Sequence, residues 1–82
     1  MRHELKCKEK YFKAIWNGDK TFEIRKNDRY FEERDEVLLQ ETDSFDECTG
    51  REVEGFITYL TDYEQQKGYV VFAFREFGRK EQ

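Results

Sequence analysis

The chain has no apolar run approaching the roughly 20 residues a membrane helix needs, and its first residues carry no signal-like hydrophobic segment. Both absences predict a soluble, cytoplasmic protein with no membrane partner. It has one histidine, His3, and two cysteines, Cys7 and Cys48, forty-one positions apart with no CxxC pair. That inventory does not make a zinc site, and two distant cysteines without a secretory signal read as free thiols rather than a disulfide. No stretch has calcium-loop spacing and no internal repeat is present, so no metal or cofactor is expected. Broad positive charge is also missing. A net charge of −4 argues against a large, nonspecific phosphate-binding surface.

What the chain does have is aromatic bulk. Eighty-two residues suit one small domain, which buries about 60 to 65% of its unfolded surface, so the core must be efficient. The aliphatic supply is modest, but eight Phe, five Tyr and one Trp supply large apolar areas per residue.

Periodicity places the elements. Arg2 to Cys7 alternates, with His3, Leu5 and Cys7 on one side and Arg2, Glu4 and Lys6 on the other, a short first strand. Tyr11, Phe12, Ile15 and Trp16 form an apolar stripe on a helix of two to three turns, closed by a C-cap at Asn17-Gly18. Gly18 through Arg29 then leads from the helix exit into a short charged strand. In it Phe22 and Ile24 are expected on the core face, with Thr21, Glu23 and Arg25 opposite. This stretch holds Lys20, Arg25, Lys26 and Arg29 against Glu23 and Asp28, a local +2 in an acidic chain.

Asn27-Asp28 signals a turn, Tyr30 and Phe31 follow it, and residues 36–41 read as a further strand. Residues 42–50 form a polar loop, with Thr49-Gly50 starting the return. Residues 51–61 make a long strand whose Val53, Gly55, Ile57 and Tyr59 share a face, Gly55 marking a bulge or a close approach in a curved sheet. A polar segment containing one helical turn spans residues 62–68. Gly68 to Arg75 is a nearly continuous apolar strand, expected to be covered on both faces. The sum is an α+β fold: a small curved mixed β-sheet, or an open barrel, with a short helix after the first strand. Residues 1–77 form one domain and 78–82 a flexible tail.

His3-Glu4-Leu5-Lys6, Tyr11-Phe12, Gly18 through Arg29, Thr49-Gly50-Arg51, Ile57-Thr58-Tyr59 and Gly68-Tyr69-Val70-Val71 together resemble a small bacterial and phage family of ASCH-like domains. The resemblance spans His3 to Phe74 and implies a PUA-like β-barrel, whose related domains bind RNA or modified nucleosides beside the barrel. One ASCH branch hydrolyses an acetylated cytidine with a lysine after the glycine turn, a polar strand residue and a later glutamate. The first two positions correspond to Lys20 and Glu23. Glu23 stands where that branch usually carries threonine, and no residue here matches the later glutamate. Arg34, before Asp35, stands where the nearer relatives commonly carry glycine, which implies a rearranged turn.

The chemistry of the same residues runs in parallel. Lys20 can pair with Glu23, bind a ligand, or serve as a base or nucleophile if its proton affinity falls. Arg25 offers a planar fork to a phosphate or base edge, or an ion pair to Glu23 across the strand face. Lys6 joins them if the first strand lies beside Lys20. Tyr30, Arg51 and Tyr69 are expected around the same cleft. Tyr11, Phe12, Trp16 and Phe22 are core residues first and stacking platforms second. His3 reads as a packed histidine. The leading reading is a noncatalytic RNA- or nucleotide-binding module using Lys6, Lys20, Glu23, Arg25, Tyr30, Arg51 and Tyr69. The alternatives are an amidohydrolase of an acylated nucleoside, with Lys20 and Glu23 catalytic, and a protein-interaction domain.

Overall fold

Alternation in the first strand and a glycine exit from the helix set up the architecture. In a computed structural model describing residues 1–81, the elements run β1 (Arg2–Lys8), α1 (Glu9–Trp16), β2 (Phe22–Lys26), β3 (Glu36–Thr42), β4 (Cys48–Thr61) and β5 (Tyr69–Lys80). All five strands join one mixed sheet in the order β1-β3-β4-β5-β2. β1 and β3 are parallel, and the remaining neighbours are antiparallel. The sheet curves into a half-barrel, with β1 and β2 as its two edges. Among the described residues no helix is long and apolar enough to cross a membrane.

β1 buries His3, Leu5 and Cys7 and exposes its alternate residues, as its pattern predicts. α1 buries Phe12 and Ile15 against the sheet, while Tyr11 stays half exposed and Trp16 half buried. Its exit is a Schellman turn. The Asp19 N–H donates to the Ala14 carbonyl at 2.9 Å and the Gly18 N–H to the Ile15 carbonyl at 3.0 Å, with Gly18 at φ +82°. The core gathers Leu5, Phe12, Phe31, Leu39, Ile57 and Phe72 with their neighbours inside the curve. His3 is packed there, its Nε2 2.8 Å from Asp35 Oδ2 and its ring edge-on to Phe31. Cys7 and Cys48 are both free thiols.

Two register shifts interrupt the β4–β5 pairing, one between Glu54 and Gly55, where Phe77 of β5 is the extra residue, and one between Ile57 and Tyr59, where Thr58 of β4 is. At the first, the β5 backbone comes so close that a Cβ on Gly55 would lie 2.6 Å from the Arg75 carbonyl oxygen. At the second, the extra residue reverses the alternation. Tyr59 therefore turns out to solvent and Leu60 packs on the core, correcting the expectation that Tyr59 shares the Val53–Ile57 face. The segment 62–68 holds turns rather than a helical turn. β5 buries Val70, Phe72 and Phe74 and leaves Val71 and Ala73 half covered on the outer side, so only one of its faces is fully covered. It also runs past Arg75. Gly78, Arg79 and Lys80 pair with Glu54, Val53 and Glu52, so three residues of the expected tail belong to the sheet; position 82 lies outside the described residues. The long partner β4 supplies the hydrogen bonds that keep this end extended.

The largest correction concerns β2. Phe22 and Ile24 are 42% and 55% exposed, whereas Glu23 is 4% exposed. The faces are the reverse of those expected from hydrophobicity. At this edge of the half-barrel the concave side holds a polar cleft rather than core, and the buried carboxylate is supplied with cationic partners there.

Candidate functional site: the cleft between the sheet edges

β1 and β2 approach each other across the open side of the half-barrel without strand pairing. Arginines bridge the gap instead. Arg25 Nη2 donates to the Lys6 carbonyl at 2.7 Å, and Arg29 Nη1 to the Glu4 carbonyl at 3.1 Å. Carbonyls on an unpaired edge strand would otherwise be open to any extended chain, and guanidinium groups satisfy them here.

Beside this seam lies a cleft of about 490 Å³. Glu23 is at its floor, with both carboxylate oxygens engaged: Lys20 Nζ donates to Oε1, and Arg25 Nε to Oε2 at 2.9 Å. Lys20 is fixed further by a 2.9 Å bond to the Phe22 carbonyl, and its ammonium lies 5.0 Å from the Phe22 ring centre and 5.8 Å from that of Tyr11. Two of its three N–H groups are thus committed within the protein. A buried carboxylate held between two cations is a satisfied unit, and both of its oxygens have a partner.

The Schellman exit and the short residues 19–21 deliver Lys20 to one side of Glu23, and the two-residue period of β2 delivers Arg25 to the other. Lys6, Lys8 and Lys26 line the rest of the cleft and are exposed. Lys6 has only a 4.0 Å approach to Asp46 as an ion pair. The cleft therefore holds five cations against one carboxylate. That is +4, leaving −8 on the remainder of a chain whose net charge is −4. Tyr11, Phe22 and Tyr69 add aromatic surface, 49%, 42% and 37% exposed. Cys7 also lines the cleft. Burial and, next, the Glu23 charge push its thiol up to about 11, so it is a neutral thiol at physiological pH and not a nucleophile.

Lys6, Lys20, Glu23, Arg25 and Tyr69 are brought together; Tyr30 and Arg51 are not. Tyr30 sits at φ +54° in the loop after β2 and points to solvent, 82% exposed. Arg51 does not line the cleft. It donates to Glu41 Oε1 at 3.1 Å and Oε2 at 2.9 Å, and its guanidinium is 4.7 Å from the Trp16 ring centre. Arg79 covers the same ring at 4.0 Å and donates to the Trp16 carbonyl at 3.1 Å. Arg51 thus ties helix to sheet. Lys8 and Lys26 each end a strand, where alternation says little about direction. The apolar character of Tyr11 and Phe22 points to the core, yet both rings line the cleft. Among the described residues no group of three His, Cys, Asp or Glu side chains is placed to hold a metal ion.

The sequence model of a family described as "Domain of unknown function (DUF3850)" matches residues 2–74. A protein of Escherichia phage P2, described as "Uncharacterized 12.9 kDa protein in GpA 3'region", is 43% identical over 60 residues. The match covers 73% of this chain and 54% of that protein, so the chain spans about half the length of the curated relative.

Proposed function

The chain belongs to the DUF3850 family, and from that premise we propose that it is a noncatalytic module that binds RNA or a nucleotide in the β1–β2 cleft. We read its half-barrel as an ASCH-like, PUA-like domain, in keeping with the motifs along its strands. The observation that carries the functional reading is the charge partition: +4 gathered around one cleft, on a chain that is otherwise −8. Clustered cations attract phosphate, and half-exposed rings such as Tyr11 and Tyr69 offer flat faces to a base. Arg25, held at two atoms, presents its remaining guanidinium edge with little freedom left to lose on binding.

Equilibrium binding of single-stranded RNA and a ribonucleotide panel to the native protein, Lys20→Ala and Arg25→Ala tests this reading, with thermal melts confirming that each variant is folded. Weakened binding by both folded variants is expected. The reading fails if nothing binds reproducibly, or if neither substitution matters.

Hydrolysis of an acylated nucleoside is the rival reading, motivated by the Lys20–Glu23 contact within the cleft. Weighing against it, both oxygens of Glu23 are tied to cations and Cys7 is a neutral thiol, so neither offers a free base or nucleophile to the opening. Mass-resolved turnover of an acylated nucleoside by pure protein, abolished by Lys20→Ala, would decide in its favour.

A further inference from the structure

Charge outside the cleft limits the size of what can sit inside it. A polynucleotide carries its charge as a line of single negative phosphates, and a bound tract of several nucleotides would have to leave the cleft along the rest of the chain, whose formal charge is −8. One way out is the neighbouring cavity that shares Lys8. There Glu9, Asp43 and Asp46 outnumber Lys8 and Lys10. Phosphates passing within about 8 Å of those carboxylates are repelled with little screening at physiological salt. The acidic exterior therefore opposes a running strand in the same way that the cleft favours a compact anion.

A terminal phosphate monoester is such an anion, concentrating about −1.5 to −2 charges on three oxygens. The cleft has cations to match. Glu23 neutralises one charge of the Lys20–Arg25 pair, while exposed Lys6, Lys8 and Lys26 have no carboxylate within the cleft. Its volume of about 490 Å³ lies within the usual range for small-molecule sites, about 300 to 1,000 Å³. We propose that the cleft takes a single nucleotide unit bearing a terminal monoester phosphate, and that this group, rather than a run of diester linkages, supplies the charge for binding. The proposal rests on the nucleotide reading above. Two sources share the chemistry, a free mononucleotide and the phosphorylated end of a strand.

Calorimetric titration at fixed physiological salt tests it. The probes are the four ribonucleosides, their 5′-monophosphates, and an RNA octamer with either a 5′-phosphate or a 5′-hydroxyl. At least one monophosphate is expected to bind about tenfold or more tighter than its nucleoside. The hydroxyl-ended octamer is expected to bind more weakly than that monophosphate. Lys8→Ala and Lys26→Ala, both at exposed positions, should narrow the gap between monophosphate and nucleoside. A phosphorylated octamer that matches the monophosphate identifies a strand end as the ligand, and one that binds more weakly identifies the free nucleotide. Equal binding of nucleoside and monophosphate overturns the proposal, as does tighter binding of the hydroxyl-ended octamer; either result leaves the nucleotide reading standing. Silence from every probe overturns both.

Discussion

The Arg25 guanidinium spans the open seam of the half-barrel, donating from Nη2 to the Lys6 carbonyl at 2.7 Å while its Nε holds Glu23 Oε2 at 2.9 Å. One side chain thus satisfies a sheet edge and a buried carboxylate together. Arg25→Ala should destabilise the fold by about 2 kcal/mol, because it leaves both acceptors short of a donor. Arg25→Lys should recover less than half of that, since one ammonium cannot reproduce the planar fork that reaches both atoms. Urea unfolding of the two variants checks this; full rescue by lysine would show that charge alone matters at the seam.

Glu23 is the other half of the same unit. Glu23→Ala leaves Lys20 and Arg25 without their shared partner, yet both are near enough to the opening to reach water, their side chains being 18% and 25% exposed. In a double-mutant cycle with Arg25→Ala, the two losses should fall short of additivity by roughly 1 to 2 kcal/mol. Additive losses would mean that the pair does not act as a unit.

Much of this cluster was legible from the chain, because Lys20, Glu23 and Arg25 stand close enough in sequence to meet whatever the topology. Burial was not. Hydrophobicity places Phe22 and Ile24 inside and Glu23 outside, but the direction of β2 is decided by what lies on the concave side at the sheet edge, and the order β1-β3-β4-β5-β2 is set by long-range pairing. The alternation of β1 was readable because its inner face meets core throughout. Tyr59 was misplaced by an unpaired residue that shifts the period, which no pattern within a single strand reveals. Placing Arg51 at the cleft depends on how the barrel closes, which the sequence does not reveal, and Glu41 and Trp16 hold it elsewhere.

At Gly55 the backbone of β5 lies hard against β4. A methyl group there would sit 2.6 Å from the Arg75 carbonyl oxygen and 3.3 Å from the Phe74 ring, and a backbone atom cannot swing aside as a flexible side chain can. Gly55→Ala should cost about 2 to 3 kcal/mol and lower the melting temperature. Gly18→Ala makes a useful comparison, because nothing lies within 4 Å of its Cβ and only its φ of +82° opposes the change. Its loss should be smaller, about 1 kcal/mol. Equal losses would show that the 54–57 bend yields to the extra atom.

Stability should fall in acid through two carboxylates that do not line the cleft. Hydrogen bonds from Arg51, ahead of the opposing effect of burial, lower the Glu41 pKa below its ordinary 4.5. Burial pushes Asp35 up, but hydrogen bonds from His3, the Glu32 N–H and the N-terminus together outweigh it and leave Asp35 below 3.8. Both folded values are depressed. Their contribution is therefore complete above the unfolded values and is lost as pH falls through the folded ones. Glu41→Gln should lower stability at neutral pH and flatten the decline below about pH 4.5. Urea midpoints measured from pH 7 down to 3 check this; an unchanged acid slope would remove Glu41 from the account.

Arg34 sits at φ +80°, a conformation that suits glycine, while its N–H donates to the Ile57 carbonyl at 2.8 Å. The turn is held from outside, by that bond and by the Asp35 N–H donating to the Glu32 carbonyl at 3.1 Å, so the backbone keeps a left-handed residue even where the side chain opposes it. That φ is one glycine adopts freely, and here an arginine is held in it. Relief of that strain competes with the extra freedom glycine gives the unfolded chain. Strain in the left-handed region costs a non-glycine residue about 1 to 2 kcal/mol, more than glycine loses through flexibility. Arg34→Gly should therefore stabilise the fold by about 0.5 to 1 kcal/mol, and Arg34→Ala, which keeps a Cβ, should not. Chemical denaturation of the two variants separates these outcomes, and a gain shared by alanine would trace the effect to the arginine side chain rather than to its φ.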